Sequence, residues 1–353
     1  MSIFARSNGF RRAEIDISAG KRWIHRLADW GGVHRRTPAG LRAMDGEFSL
    51  SAMTAQLPLP ATLRSRPFST AEALALGVSE KMLRRVSLAS PFAGVRHDGP
   101  SPDSTLERCR AASTFLPDGA RFSHVTALRL IGTEVPWRLE SDKRIHVTVP
   151  AGAYYPRWVG LVTHASGLGP LPTVWCSALA VSSPAQTWLQ LARELPMDDL
   201  VVLADAMTRR KTAATTLEIL QSQVATARPG TRGIRALREA LALVRPLTDS
   251  SMETRARLAI VQAGLPCPEV NRPVLDTFGR FVAMPDLSYP GLKIAIEYDG
   301  DIHRTDQATW RRDITRRQAM EALGWRVITC TADDVLRHPA RLITWIRAAI
   351  HSS

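Results

Sequence analysis

The sequence predicts a multidomain α/β chain of the α+β kind, and three observations carry that prediction. A length of 353 residues exceeds what one ordinary core organises and suggests about two or three domains. Helical and strand periodicities alternate through residues 103–245. Residues 250–353 then run helix, strand meander, helix, strand, helix, around the apolar stretch Ile294-Ala295-Ile296.

Composition bounds the function classes. Hydrophobic residues make up 45% and charged residues 22%, as in ordinary globular chains. No apolar run approaches the ~20 residues of a membrane-spanning helix, and no secretory leader is evident, so a cytoplasmic protein without membrane association is expected. The four cysteines stand singly, which points to neither a zinc ribbon nor a disulfide framework. The net charge is +13, carried mostly by arginine, whose planar fork matches phosphate, and this favours DNA as partner.

In chain order, residues 1–48 carry Gly, Arg and Ser without a sustained period and read as a disordered basic extension. Residues 57–98 predict a helix-turn-helix or winged-helix-like unit. Ser69 with Glu72 three residues on opens a first helix, Gly77-Val78-Ser79 turns, and a second helix runs through Leu83, Val86 and Leu88. Lys81, Arg84 and Arg85 on that helix are the candidate DNA-binding residues, against the plainer reading of a solvated basic face.

Residues 103–245 form the middle α/β domain. Helices are predicted over 106–115, 124–130, 184–195, 200–208 and 234–244, and strands over 144–149 and 159–164. His124, His146 and His164 lack any short ligand spacing of the HxH or HxxxH kind, so core or hydrogen-bonded histidines are expected rather than a metal trio. Pro246 to Ser250 reads as the boundary before the last domain.

In residues 250–353 a helix from Ser250 precedes strands over 270–275, about 280–287 and 292–298. A helix follows from about Gln307 to Leu323, then a strand over 325–330 and a final helix. Glu297 ends the apolar strand, and Asp286 lies on its neighbour across a short turn. A carboxylate in such a buried strand is expensive unless a divalent cation compensates, so the two acids are candidate ligands for one ion. Mg²⁺, which takes a few carboxylates together with waters and phosphate oxygens, suits an open site of this kind, and Mn²⁺ is the alternative.

Pro285-Asp286, Glu297-Tyr298-Asp299-Gly300, His303, Trp310, Asp313, Arg316 and Gly324-Trp325-Arg326-Val327 together resemble the PD-(D/E)xK nuclease superfamily. Within it they are closest to the very-short-patch-repair-like endonucleases. The resemblance spans about Ser250 to Ile350 and implies a restriction-endonuclease-like domain, a mixed central sheet flanked by helices. It further implies metal binding by Asp286, Glu297 and the backbone carbonyl of Tyr298, with Glu253 as the acid of the first helix. Arg312 and Arg316 become candidate contacts to nucleic acid.

The superfamily expects lysine where Asp299 stands, which leaves Asp299 as an alternative ligand and His303 as a candidate general acid or base. Glu253 also suits a capping box with Ser250, and Asp313 with Arg316 a helical ion pair. The zinc-binding residues of true patch-repair enzymes are not evident here.

More loosely, residues 57–245 resemble AbiEi-type antitoxins, on the segment from Pro67 to Val95, Phe122-Ser123-His124, Ile145 to Pro150 and Ser183-Pro184. The expected function is a metal-dependent DNA endonuclease with an N-terminal DNA-binding region. The alternatives are a non-catalytic DNA-binding regulator or antitoxin with a toxin partner and, third, a nickase for mismatched or damaged sites.

Overall fold

The computed structural model describes residues 59–85, 87–166, 171–300 and 307–352, the last stretch with side chains from 313 onward. The basic extension, Val86, His303 and the side chain of Arg312 lie outside the described residues. The chain is a mixed α/β protein, as expected, with four separate sheets among the described residues.

Five short elements open it: β1 (Pro67–Ser69), α1 (Thr70–Ala75), α2 (Glu80–Leu83), β2 (Leu88–Ala89) and β3 (Val95–Asp98). Ser69 caps α1 by accepting from the Glu72 amide at 3.0 Å, while the Glu72 carboxylate turns away to Arg66, so only half of the expected capping box forms. Ser79 caps α2 in the same way. That helix ends at Leu83, and Leu88, expected on the helix, belongs to β2 of a β1-β3-β2 antiparallel sheet. Arg96 on β3 caps that end: its Nε donates to the Leu83 carbonyl at 2.8 Å. Leu63, Phe68, Ala73, Val78 and Leu83 form the small core of this unit.

The middle region contains α3 (Thr105–Ser113), β4 (Arg121–Phe122), α4 (His124–Ile131), α5 (Trp137–Glu140), β5 (Ile145–Pro150), β6 (Leu161–Ser166), β7 (Thr173–Cys176) and β8 (Leu179–Ser182). It continues with α6 (Pro184–Leu191), α7 (Met197–Met207), α8 (Leu217–Ala225) and α9 (Ile234–Leu243). The five strands order as β6-β5-β4-β8-β7, with β5 parallel to β6 and antiparallel to β4. Phe122, Ile145, Val147 and Val181 belong to one apolar core, while His146 and Thr148 alternate with them on β5 and form a buried polar layer. The long helices pack separately around Trp188, whose indole donates to the Leu200 carbonyl at 2.9 Å. Gly233 opens α9 at φ +81°, where a Cβ would lie 2.6 Å from that of Ala192, so glycine is required there twice over.

The last region comprises α10 (Ser251–Gln262), β9 (Glu269–Val270), β10 (Val274–Leu275), β11 (Phe281–Ala283), β12 (Leu287–Tyr289), β13 (Ile294–Tyr298), α11 (Gln307–Ala322), β14 (Arg326–Cys330), α12 (Ala332–Leu336) and α13 (Pro339–His351). Both meander strands expected as continuous are split. Asn271 at positive φ and Pro273 separate β9 from β10, and Met284-Pro285-Asp286 separate β11 from β12. The result is a two-stranded β10-β11 ribbon beside a mixed β14-β13-β12-β9 sheet, with β13 parallel to β14.

The cores on either side of the expected boundary at 246–250 meet through α10. Residues Leu57–Ser353 form one compact unit, and α10 is shared within it. Leu258 joins the helical core of the middle region, whereas Ala256 and Ile260 join the core of the last sheet. A fully buried ion pair ties the two regions together: Arg257 Nη2 meets Asp205 Oδ2 at 2.7 Å, and Thr254 and the Arg245 amide complete that carboxylate. No helix among the described residues is long and apolar enough to cross a membrane.

Candidate functional site

The acid site is built on the hairpin of β12 and β13. Leu287 pairs with Ile296, and one step further the register sets Asp286 opposite Glu297. Asp286 accepts from the Tyr298 amide at 2.8 Å through Oδ2, and its carbonyl takes the Asn271 amide at 3.0 Å. Burial first, then the charges of Glu253 and Glu297, push the Asp286 carboxyl up to about 7, against the Tyr298 hydrogen bond and Arg316. Glu297 is 9% exposed, and burial raises its pKa as well, with Arg316 and Arg317 opposing. Arg316, on α11, reaches Glu297 Oε1 with Nη2 at 3.1 Å and Asp313 at 3.7 Å, so the expected helical pair forms but is shared with the site. Glu297 Oε1 is thus a buried carboxylate oxygen whose counter-charge comes from Arg316.

Glu253 sits beside Asp286 but is already engaged. Its amide donates to the Ser250 hydroxyl at 3.2 Å, while Oε2 accepts from the Asp249 amide at 2.9 Å and Asn271 Nδ2 at 3.3 Å. The helix-capping alternative is therefore realised in part, with Asp249 rather than Ser250 as the backbone donor. Among the described residues, Glu253, Asp286 and Glu297 do not bring three carboxylate oxygens within 4.8 Å of one another. Asp299 lies just past β13, exposed, its amide donating to the Cys330 carbonyl at 2.8 Å. Tyr298 is half-buried at the strand end, its amide committed to Asp286.

The basic residues expected to meet DNA are less concentrated than the linear pattern suggests. Lys81 is exposed on α2, Arg84 is held by Glu80 at 2.6 Å, and Arg85 just beyond α2 is half-buried. A four-residue helix spans only about 6 Å, too little to carry several contacts along a groove.

The structure brings together one further constellation that local spacing hides. His146 on β5 and His164 on β6 sit diagonally across a parallel pair, because Thr148 is the residue opposite His164. His124 enters the same space at the start of α4, straight after β4, with φ +52°, an unusual value for a histidine. One nitrogen from each ring falls within 4.8 Å of the other two. His146 Nδ1 faces His164 Nε2 at 3.2 Å, and its Nε2 meets Asp142 Oδ2 at 3.1 Å. His124 Nδ1 meets the Ser123 hydroxyl at 3.0 Å, and its ring stacks on His164 at 3.7 Å between centroids.

Burial lowers all three imidazoles, His124 to about 2 with His164 and His146 adding to it, and His164 to about 4 with His146 and Arg144 adding to it. They are therefore neutral at physiological pH, with lone pairs available. Asp142, clamped by Arg144 first and His146 after it, is held well below the usual carboxylate range. The signal that could have found this cluster was the pairing of the two predicted strands, which places His146 and His164 on one face.

No family model matches the chain. Two uncharacterized proteins of Mycobacterium tuberculosis, from strains CDC 1551 / Oshkosh and ATCC 25618 / H37Rv, are each 32% identical to it over 237 residues, covering 67% of this chain and 83% of each relative. With that identity over most of both partners, the chain belongs to the same family as these two mycobacterial proteins.

Proposed function

We propose that the chain is a metal-dependent DNA endonuclease whose centre is Asp286 and Glu297. The observation that carries the reading is Glu297, buried opposite a second carboxylate that burial and neighbouring acids have pushed up to about 7. Carboxylates crowded in this way call for a cation, and a hard divalent ion such as Mg²⁺ or Mn²⁺ suits oxygen donors. Asp286 and Glu297 would hold it, and Glu253, tied down by Asp249 and Asn271, would act through its charge on Asp286. The ion would supply an activated water and charge neutralisation at a scissile phosphate. Arg316 would offer the positive charge that Asp299 does not, from α11 instead of the strand.

In this reading the restriction-endonuclease-like sheet is β14-β13-β12-β9, and the N-terminal unit with Lys81 and Arg84 holds the duplex. The second reading is a non-catalytic DNA-binding regulator or antitoxin with a toxin partner. Asp299 in place of lysine favours it, as does the contact of Arg316 with Glu297, which supplies a counter-charge from within the chain.

Supercoiled plasmid incubated with the purified full chain and Mg²⁺ or Mn²⁺ separates the two. Nicked or linear product is expected from wild type and a loss of at least about 100-fold from Asp286→Ala/Glu297→Ala. Equal cleavage by the two removes Asp286 and Glu297 as the centre, and none by either while both retard DNA in a gel moves the protein to the regulator reading.

A further inference from the structure

We propose that His124, His146 and His164 form a binding site for one Zn²⁺-class transition-metal ion, independent of the acid site on β12 and β13. Three neutral imidazoles are a donor set for such ions, whereas the carboxylates of the acid site suit Mg²⁺.

An account of the ring nitrogens gives the ligand atoms. His146 Nε2 is committed to Asp142, so its Nδ1 presents a lone pair; His124 Nδ1 is committed to Ser123, which leaves Nε2. His164 contributes Nε2, 3.2 Å from His146 Nδ1. Zn–N bonds of about 2.0–2.1 Å at a tetrahedral angle place two ligand nitrogens about 3.3 Å apart, so this pair already has the spacing of a chelate. The third nitrogen has to close from within 4.8 Å.

His124 and His164 are stacked with 15° between their planes, so their in-plane lone pairs run side by side. Coordination turns one ring out of the stack, and half-exposed His164 on the β6 edge is the one with room. Glu194 Oε1, 3.9 Å from His124 Nε2, stands near the fourth position.

The supporting contacts have the form expected around a metal-bound histidine. A carboxylate holding the second ring nitrogen fixes tautomer and orientation, and Asp142 is itself fixed by Arg144 at 2.6 and 2.9 Å. Thr126 Oγ1 accepts from the His146 amide at 2.8 Å, which locks the strand beneath the ring. His124 is the first residue of α4, and its positive φ turns the chain directly from β4 into the helix.

Untagged full-length protein stripped with a chelator would be titrated with Zn²⁺ against a chromophoric competitor, and separately with Co²⁺ while visible d–d absorption is recorded. Wild type is expected to bind one Zn²⁺ per chain more than His146→Gln/His164→Gln, and to show Co²⁺ bands that Zn²⁺ displaces. Asp142→Asn, a positioning change, should weaken Zn²⁺ roughly 10–100-fold with the circular dichroism unchanged. Asp286→Ala/Glu297→Ala should bind this Zn²⁺ as wild type does. Equal Zn²⁺ stoichiometry and affinity in wild type and the folded double histidine variant overturns the proposal, and so does loss of the ion in the acid-site variant. Where the double variant does not fold, His164→Gln alone decides, at a half-exposed position. Retention of both the Co²⁺ bands and Zn²⁺ affinity in that variant, or absence of the bands in wild type, is then the overturning result.

Discussion

The acid site and the histidine cluster are built alike and respond to burial in opposite ways. Each converges polar side chains from two adjacent strands or the residue beside one and adds a group from a helix: Asp286, just before β12, and Glu297 with Arg316, and His146 and His164 with His124. At the first, desolvation keeps protons on, raising Asp286 to about 7. At the second, desolvation takes protons off, lowering His164 to about 4. The same low dielectric thus favours the neutral form at both, a protonated carboxyl in one region and unprotonated imidazoles in the other.

The largest expected effect tests whether those regions are one cooperative unit. Helix α10 carries Arg257 into the middle core, where it faces Asp205, and both side chains are fully buried. Arg257→Met leaves Asp205 with Thr254 and the Arg245 amide but no counter-charge, and should cost about 3–5 kcal/mol in urea unfolding. Adding Asp205→Leu should recover much of that loss, because an apolar pair no longer carries an unpaired charge. A single unfolding transition that shifts as a whole supports one unit. Two transitions, with Trp188 fluorescence moving and the last sheet unaffected, would separate the regions.

The next test acts on the acid site. Asp286 keeps its proton to about 7 when folded but only to its ordinary 3.8 when unfolded. Its contribution is therefore fully present below pH 3.8 and is lost as pH rises through 7. In EDTA, Asp286→Asn should be more stable than wild type by roughly 1–3 kcal/mol at pH 8, with the gain shrinking towards pH 4. Mg²⁺ should then stabilise wild type and leave the variant unmoved. A variant less stable than wild type at pH 8 would show that the Tyr298 amide bond outweighs the charge burial.

The two regions also differ in how far they can be read along the chain. The acids stand out because one turn joins their strands, and an apolar run around Glu297 makes its burial visible in the sequence. The histidines are separated by whole elements, and they converge only through the β4–β5 and β5–β6 pairings, whose order no local pattern specifies. The breaks inside the meander have a similar cause: periodicity continues through Asn271-Arg272-Pro273 and Met284-Pro285, but proline cannot donate to a ladder. Likewise the second N-terminal helix ends at Leu83, where Arg96, thirteen residues on, donates to its carbonyl, a long-range contact invisible to helix propensity. The shared helix α10 was legible as a helix but not as a joint, since its two faces serve different cores.

The smallest effect sharpens the opposite sign of the histidine cluster. His124 has a folded pKa of about 2 against an ordinary 6.5, so below 6.5 the unfolded chain takes up a proton that the folded chain refuses. Stability is present above 6.5 and declines as pH falls towards the folded value. At pH 5.5, with metal removed, this residue alone should account for about 1 kcal/mol of loss relative to pH 7.5. His124→Asn removes the titration while tolerating the left-handed φ of +52°, and its stability curve should be flatter across that window by about half a proton on average, approaching one at its acid end. An identical slope in wild type and variant would mean that the ring takes its proton in the folded state. It would then be His146, with Asp142 opposite, that sets the acid limit of this region.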